Sequence, residues 1–190
     1  RQETDGNGDG KPDAILVYDA TGTPSREEAD RSGDGSIDFR RELANGQPVR
    51  DEADTDGDGR FDLVTRYEAG QPVHSEQDAN GDGKPELVVT YQAGKKIGQE
   101  EDRNGDGAPD VVTRFGPDEK PLRIESDEDG DSRRETVTLL EAGVPVRVEV
   151  DRNGDGSSDL IQQYAGGKPT NTEQDDDFDG KFELRQEAAT

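Results

Sequence analysis

A nine-residue acidic segment repeats eight times along the chain, and this repeat limits the possible folds more than any other feature. The copies read DGNGDGKPD, DRSGDGSID, DTDGDGRFD, DANGDGKPE, DRNGDGAPD, DEDGDSRRE, DRNGDGSSD and DDDFDGKFE. They open at Asp5, Asp30, Asp54, Asp78, Asp102, Asp127, Asp151 and Asp175, with spacings of 24 or 25 residues. A fixed period of this length is typical of repeat proteins, whose units contact mainly their neighbours. We therefore interpret residues 1–190 as a single repeat array whose last unit is incomplete.

Oxygen-bearing side chains recur at alternate places of the segment. The first, fifth and ninth places are acidic in all eight copies, the third is Asn, Ser or Asp, and the sixth is Gly except at Ser132. Oxygen ligands at the first, third and fifth places, followed by a Gly that permits a sharp turn, form the pattern that wraps a backbone loop around a hard cation. A carbonyl from the seventh place and the ninth carboxylate would bring the protein ligands to five or six. The pattern predicts about eight metal sites.

The predicted ligands at the first place are the eight opening aspartates. The third place adds Asn7, Ser32, Asp56, Asn80, Asn104, Asp129, Asn153 and Asp177. The fifth place adds Asp9, Asp34, Asp58, Asp82, Asp106, Asp131, Asp155 and Asp179. The ninth place adds Asp13, Asp38, Asp62, Glu86, Asp110, Glu135, Asp159 and Glu183. The predicted carbonyl ligands are those of Lys11, Ser36, Arg60, Lys84, Ala108, Arg133, Ser157 and Lys181.

The donor types favour calcium as the bound ion. Calcium takes six to eight oxygen ligands in flexible geometry, whereas magnesium demands a tighter octahedron and keeps several waters. Zinc and copper are disfavoured because the chain has no Cys and one His. Turn-forming Asp, Asn and Gly alone would explain one such segment, but three carboxylates crowded together in every copy are costly without a counter-ion.

The residues that flank each segment predict β-hairpins. In an EF-hand the twelfth place holds a bidentate Glu between two helices, but no copy has Glu there. A short β-forming run follows instead, such as LVTRY at 63–67, and then a Gly turn such as EAGQP at 68–72 and a second run. The chain is therefore expected to be all-β, a meander of eight hairpins of about 24 residues joined by calcium loops in a twisted or superhelical rod. A small β-propeller is the alternative.

A glutamate also precedes every opening Asp by two residues. The set within the array is Glu28, Glu52, Glu76, Glu100, Glu125, Glu149 and Glu173, and Glu3 holds the same place before the first loop. Because residues two apart on a strand share a face, each Glu could complete a calcium shell or support it by hydrogen bonds. The alternative is an ion pair with a basic residue two places earlier, such as Arg50. The lone His74 is expected to be an exposed strand residue.

Composition explains why a bound cation would matter. With 26% apolar residues, 37% charged residues and a net charge of −24, the chain falls in the range where chains usually stay disordered. No run of apolar residues approaches the roughly 18 needed to span a bilayer. The acidic balance also disfavours nucleic acids and anionic membrane surfaces as partners.

The segment DANGDGKPELVV at 78–89 and its sister copies resemble the calcium loops of FG-GAP and VCBS repeats of extracellular proteins. The resemblance implies side-chain ligands at the first, third, fifth and ninth places and a backbone oxygen at the seventh. The hairpin YEAGQPVHSE at 67–76 resembles, more weakly, the units of RHS/YD repeats. Ser32, Ser132 and Phe178 depart from the loop pattern, which weakens the prediction for the second, sixth and eighth loops.

These observations predict a calcium-dependent structural module, such as a spacer, adhesin stalk or fibre unit, rather than an enzyme. We expect it outside the cell or on its surface, where calcium is near millimolar, with further copies of itself or other surface components as partners. A calcium-mediated domain that recognises glycan or protein is the alternative. A polysaccharide-acting enzyme is less favoured, because a catalytic carboxylate pair should be unique whereas these carboxylates recur in equivalent places.

Overall fold

The computed structural model describes residues 1–187 and contains sixteen antiparallel strands whose order in the sheet follows their order in the chain. The first eight are β1 (Gln2–Thr4), β2 (Ala14–Tyr18), β3 (Pro24–Ala29), β4 (Phe39–Ala44), β5 (Gln47–Ala53), β6 (Leu63–Glu68), β7 (Gln71–Gln77) and β8 (Leu87–Gln92). The second eight are β9 (Lys95–Glu101), β10 (Val111–Phe115), β11 (Pro121–Ser126), β12 (Thr136–Glu141), β13 (Val144–Val150), β14 (Leu160–Ala165), β15 (Lys168–Gln174) and β16 (Leu184–Glu187). The predicted all-β meander of hairpins is confirmed.

The strands fall into two compact units, Arg1–Lys95 and Lys96–Thr190, with β9 beginning at the boundary. Within the first unit each strand pairs with the next from β1 to β8. Within the second the same holds from β9 to β16. A propeller would interrupt this pairing after every fourth strand, so the propeller alternative is wrong.

Tight turns join the two strands of each repeat. Ala69 and Gly70, the two residues between β6 and β7, both have positive φ, at 49° and 74°. Two positive φ values define the turn type that matches the right-handed twist of a hairpin. Five repeats have a two-residue turn of this kind. The hairpins β2–β3 and β10–β11 have longer turns at 19–23 and 116–120, which accounts for the two 25-residue spacings.

A β-bulge lies beside the turn in the hairpins. In β6–β7, Arg66 pairs with His74 but Tyr67 pairs with Pro72, so Val73 is the extra residue. The same shift occurs in β2–β3, β4–β5, β10–β11, β12–β13 and β14–β15. A bulge inserts one residue on one strand and increases the local twist. Each bulge interrupts the alternation of side chains between the two faces of the sheet near the turn.

Few apolar side chains are buried. Among residues 1–187 the buried hydrophobic residues are Ile15, Phe39, Val89, Val111 and Leu140. Backbone hydrogen bonds between neighbouring strands and ion pairs between their side chains therefore stabilise the sheet alongside this small core. Among the same residues no helix is long and apolar enough to cross a membrane.

Candidate metal sites in the acidic loops

The eight acidic segments form the loops between consecutive hairpins, which we number 1 to 8 in chain order. Because the hairpin turns lie at one end of the strands, the loops lie at the other. Within each unit, successive loops are joined by the backbone: the N–H of Asp30 donates to the carbonyl of Asp13, the ninth residue of loop 1, at 2.9 Å. Asp54, Asp78, Asp127, Asp151 and Asp175 make the same bond to the preceding loop. Neighbouring loops in a unit are thus held side by side.

The first-place carboxylate organises each loop. In loop 3, Asp54 accepts hydrogen bonds from Gly57 N through Oδ1 at 2.7 Å and from Gly59 N through Oδ2 at 2.8 Å. The bond from the sixth place recurs in all eight loops. The bond from the fourth place recurs in loops 1 to 7. One Asp therefore fixes two backbone N–H groups of its own loop.

Both donors belong to residues in the left-handed region. The fourth-place glycines have φ of 72° to 81°, and the sixth place has positive φ in every loop. The loop pattern predicts a Gly at the sixth place but not at the fourth, where the backbone also has positive φ. The two departures from Gly keep the same backbone conformation, since Ser132 has φ 69° and Phe178 has φ 61°.

The third- and fifth-place side chains continue the network. Asn80 Oδ1 accepts from Asp82 N at 2.8 Å, and Asp82 Oδ1 accepts from Lys84 N at 2.9 Å. The bond to the fifth-place carboxylate occurs in all eight loops. The bond to the third place is made in every loop except loop 2, where Ser32 instead donates to Asp30. A carboxylate oxygen has two lone pairs, so one N–H bond leaves it able to bind a cation.

The ninth-place carboxylate has a role that the sequence did not reveal. It accepts the N–H of the second residue of its own loop in all eight copies. Asp159, which is 2% exposed, accepts from Arg152 N at 2.7 Å and from Asn153 N at 3.3 Å. This carboxylate closes the loop by pairing donors at its start.

Carboxylate oxygens converge in four loops. Oxygens of the acidic residues lie within 4.8 Å of one another in the groups Asp54–Asp56–Asp58, Asp78–Asp82–Glu86, Asp127–Asp129–Asp131–Glu135 and Asp175–Asp177–Asp179–Glu183. The ninth place joins the group in loops 4, 6 and 8, where it is Glu, but Asp62 does not join it in loop 3. Several acidic groups could therefore hold a metal ion. No group of three forms in loops 1, 2, 5 or 7 among residues 1–187, where the third place is Asn or Ser.

Basic residues at the seventh place pair with the fifth-place carboxylate. Arg60 donates to Asp58 Oδ2 from Nε at 2.8 Å and from Nη2 at 2.5 Å, and Arg133 binds Asp131 in the same way. Lys181 Nζ donates to Asp179 Oδ2 at 2.7 Å. These side-chain hydrogen bonds hold the pKa of each of the three aspartates below its usual value. These three carboxylates thus stay ionised near neutral pH.

Two of these arginines also reach the next loop. Arg133 Nη1 donates to the carbonyl of Gly154 in loop 7 at 2.8 Å. Arg60 lies so close to Gly81 in loop 4 that a Cβ there would be 2.2 Å from Nη1. A cavity of about 180 Å³ between loops 3 and 4 is lined by Asp58, Arg60 and Asp78 among others. The positive φ of 72° favours Gly at position 81, and a side chain there would displace the Arg60 guanidinium.

Loop 8 differs from the others at the first-place carboxylate. Asp175 is 2% exposed, and its Oδ2 accepts from Gly180 N at 2.8 Å. Its Oδ1 is buried and has no hydrogen-bond partner, because the fourth residue is Phe178 and the bond made by the fourth-place Gly elsewhere is missing. A buried carboxylate oxygen without a partner is costly and is well suited to a cation. The donor set of this loop fits a hard divalent ion.

Six of the seven glutamates that precede loops 2 to 8 form ion pairs in the described part of the chain, and Glu100, which has Gly98 two places earlier, is not among them. Glu52 accepts from Arg50 Nη2 at 2.8 Å and from Arg40 Nη1 at 3.1 Å. Glu28, Glu76, Glu125, Glu149 and Glu173 also pair with basic residues. His74, which is half-buried, contacts Glu76 through Nε2 at 2.8 Å. The glutamates named here thus make the ion pairs with basic residues that were the alternative to a role in calcium binding.

Comparison with known proteins assigns no family. No family model matches the chain, and no curated protein matches it. Among solved structures, a mutant of S. aureus TarM crystallised with fondaparinux, alpha-GlcNAc-glycerol and UDP is similar at 5% identity and a TM-score of 0.31. The similarity covers 70% of this chain and 21% of that one.

Proposed function

We propose that the chain is a calcium-binding structural repeat module whose acidic loops take up calcium and stiffen the joints between hairpins. The observation that carries the proposal is the convergence of three or four carboxylates within 4.8 Å in loops 3, 4, 6 and 8. Carboxylate oxygens this close repel one another, and a bound cation would relieve that repulsion. Calcium suits the site because its ligands are hard oxygens in flexible geometry.

The energetic role follows from the small core and the large charge. A chain of net charge −24 with few buried apolar side chains gains little from burial and repels itself. Cation binding that requires the folded loops would add to the free energy of folding. At a dissociation constant of about 1 μM and about 1 mM calcium, each site would contribute roughly 4 kcal/mol.

The recurrence of the loops favours a structural rather than a catalytic role. Acidic residues occupy the first, fifth and ninth places of every loop, which suits a spacer, stalk or fibre unit built from equivalent joints. Millimolar calcium is found outside cells, so we propose an extracellular or cell-surface location. All four convergent groups lie in the loops, and each of the two compact units contains two of them.

The test is a calorimetric calcium titration of the chelated protein, with far-UV circular dichroism on the same samples. We expect a stoichiometry near eight, at a minimum the four loops with convergent carboxylates, and a gain of β structure on calcium addition. Magnesium at equal concentration serves as the control and should bind more weakly. Full β structure in excess chelator together with no calcium uptake would contradict the proposal.

A further inference from the structure

Loops 6 and 8 carry the same set of carboxylates but differ in how the first-place carboxylate is hydrogen-bonded. Both have Asp at the first, third and fifth places and Glu at the ninth, and both have a basic seventh residue paired with the fifth. In loop 6, Asp127 Oδ1 accepts from Gly130 N at 2.7 Å. In loop 8 the corresponding Asp175 Oδ1 has no partner. The two loops therefore contrast a first-place carboxylate with both oxygens paired and one that keeps an unpaired oxygen.

The difference arises from the residue at the fourth place. It is Gly in loops 1 to 7, and its N–H binds the first-place carboxylate in each. Phe178 takes its place in loop 8 at φ 61°, below the 72° to 81° of the glycines, and its N–H does not reach Asp175. A non-Gly residue in the left-handed region also costs conformational energy. Loop 8 therefore carries both backbone strain and an unpaired buried oxygen.

We infer that loop 8 is the first loop to take up a divalent cation, because Asp175 offers it a buried carboxylate oxygen that no N–H group already occupies. This inference rests on the proposed function. In the other loops a cation must share both first-place oxygens with backbone N–H groups. In loop 8 it binds an oxygen that folding has already removed from water, so binding adds little further cost of desolvation. The departure at Phe178, which weakens the sequence prediction for this loop, thus becomes the feature that favours binding.

The substitution Phe178→Gly should raise the stability of the protein but lower its calcium affinity. Phe178→Gly removes the strain and restores a fourth-place donor for Asp175. We expect the variant to be more stable than the wild type in chelator, while its tightest calcium constant weakens about tenfold. Asp175→Asn removes the carboxylate itself and should also weaken the tightest step about tenfold or eliminate it.

Loop 6 supplies matched controls for both changes. Ser132→Gly relieves a positive φ but alters no bond to a carboxylate, because Ser132 N already donates to Asp127 Oδ2 at 2.8 Å. It should raise stability in chelator and leave the tightest calcium constant unchanged. Asp127→Asn repeats the Asp175→Asn change in loop 6 and should leave the tightest step within about twofold of the wild type, since the loops are expected to behave nearly independently.

The measurement is a competition titration of the full chain against a chromophoric calcium chelator, which resolves the tightest step, with urea unfolding in excess chelator for stability. An unchanged tightest step in both Phe178→Gly and Asp175→Asn would overturn the inference while leaving calcium binding by the other loops intact. Equal weakening by Asp127→Asn and Asp175→Asn would also overturn it. Absence of any calcium uptake by the wild-type chain would refute the proposed function as well.

Discussion

At the scale of single residues, the choice between Asp and Glu at the ninth place separates two kinds of loop. A ninth-place Glu belongs to the convergent group in loops 4, 6 and 8, whereas Asp62 of loop 3 does not. Both types accept the N–H of the second residue of the loop, as Asp159 and Glu183 do. The extra methylene of Glu lets its carboxylate bond the backbone and still approach the other acidic side chains.

The distinction predicts that Asp159 stabilises its loop by pairing backbone donors. Asp159→Ala would remove the 2% exposed carboxylate that accepts from the N–H groups of Arg152 and Asn153. We expect the free energy of unfolding at saturating calcium to fall by about 2 kcal/mol. Urea unfolding of the variant and the wild type measures this change.

Asp176→Ala is the control for Asp159→Ala. The Asp176 side chain is 68% exposed and touches Arg152 only at 3.6 Å, so its loss should change stability by less than about 0.5 kcal/mol. Calcium stoichiometry separates the two roles assigned to the ninth place. Loss of one calcium equivalent in Asp159→Ala would show that Asp159 is a ligand, as the sequence predicts, rather than only a hydrogen-bond acceptor.

At the scale of the elements, the hairpins follow closely from local sequence. The β-forming run 63–67 becomes β6 with one further residue, and the Gly turn after it becomes the two-residue turn at Ala69 and Gly70. Local residues suffice here because turn type depends on φ at two positions. The bulge at Val73 was not predicted, since a register shift depends on the pairing of two strands rather than on one run.

Exchanging Ala and Asn at equivalent turn positions of two hairpins should change the free energy of unfolding in opposite directions. Ala69 has φ 49°, a region that costs Ala more than Asn, and Asn45 holds the same place in the preceding hairpin at φ 52°. We expect Ala69→Asn to raise the free energy of unfolding by about 1 kcal/mol and Asn45→Ala to lower it by a similar amount. Urea unfolding at saturating calcium measures both. Changes of the same sign in the two variants would contradict the turn assignment.

At the scale of the whole molecule, charge opposes folding while the ion pairs on the sheet face offset part of the repulsion. Ion pairs such as Arg40 with Glu52 leave an excess of acidic side chains, because the chain has 47 Asp and Glu against 23 Lys and Arg. This excess gives the net charge of −24. Ion pairs of this kind, which are partly open to solvent, contribute little each. Repulsion among the remaining acidic groups should therefore dominate the response to salt when calcium is absent.

Salt should stabilise the chelated protein more than the calcium-loaded protein. Raising NaCl from about 0.01 M to about 1 M shortens the screening length from roughly 30 Å to roughly 3 Å and weakens self-repulsion. We expect the urea midpoint in chelator to rise steadily over this range, and to rise less at saturating calcium, where bound ions already neutralise part of the charge. A midpoint that falls with salt would show that ion pairs outweigh repulsion.

The sequence by itself determined the period, the strand type and the position of every acidic loop, because these depend on residues close together in the chain. It also placed oxygen donors at the first, third, fifth and ninth places of the loops. Only the tertiary structure decided which carboxylates converge and which pair with backbone N–H groups or arginines. Asp159 and Asp175 show why: both are buried acidic loop residues, but one accepts two backbone bonds and the other keeps an unpaired oxygen. That difference depends on donor positions after the loop has folded, which a pattern of residue types does not encode.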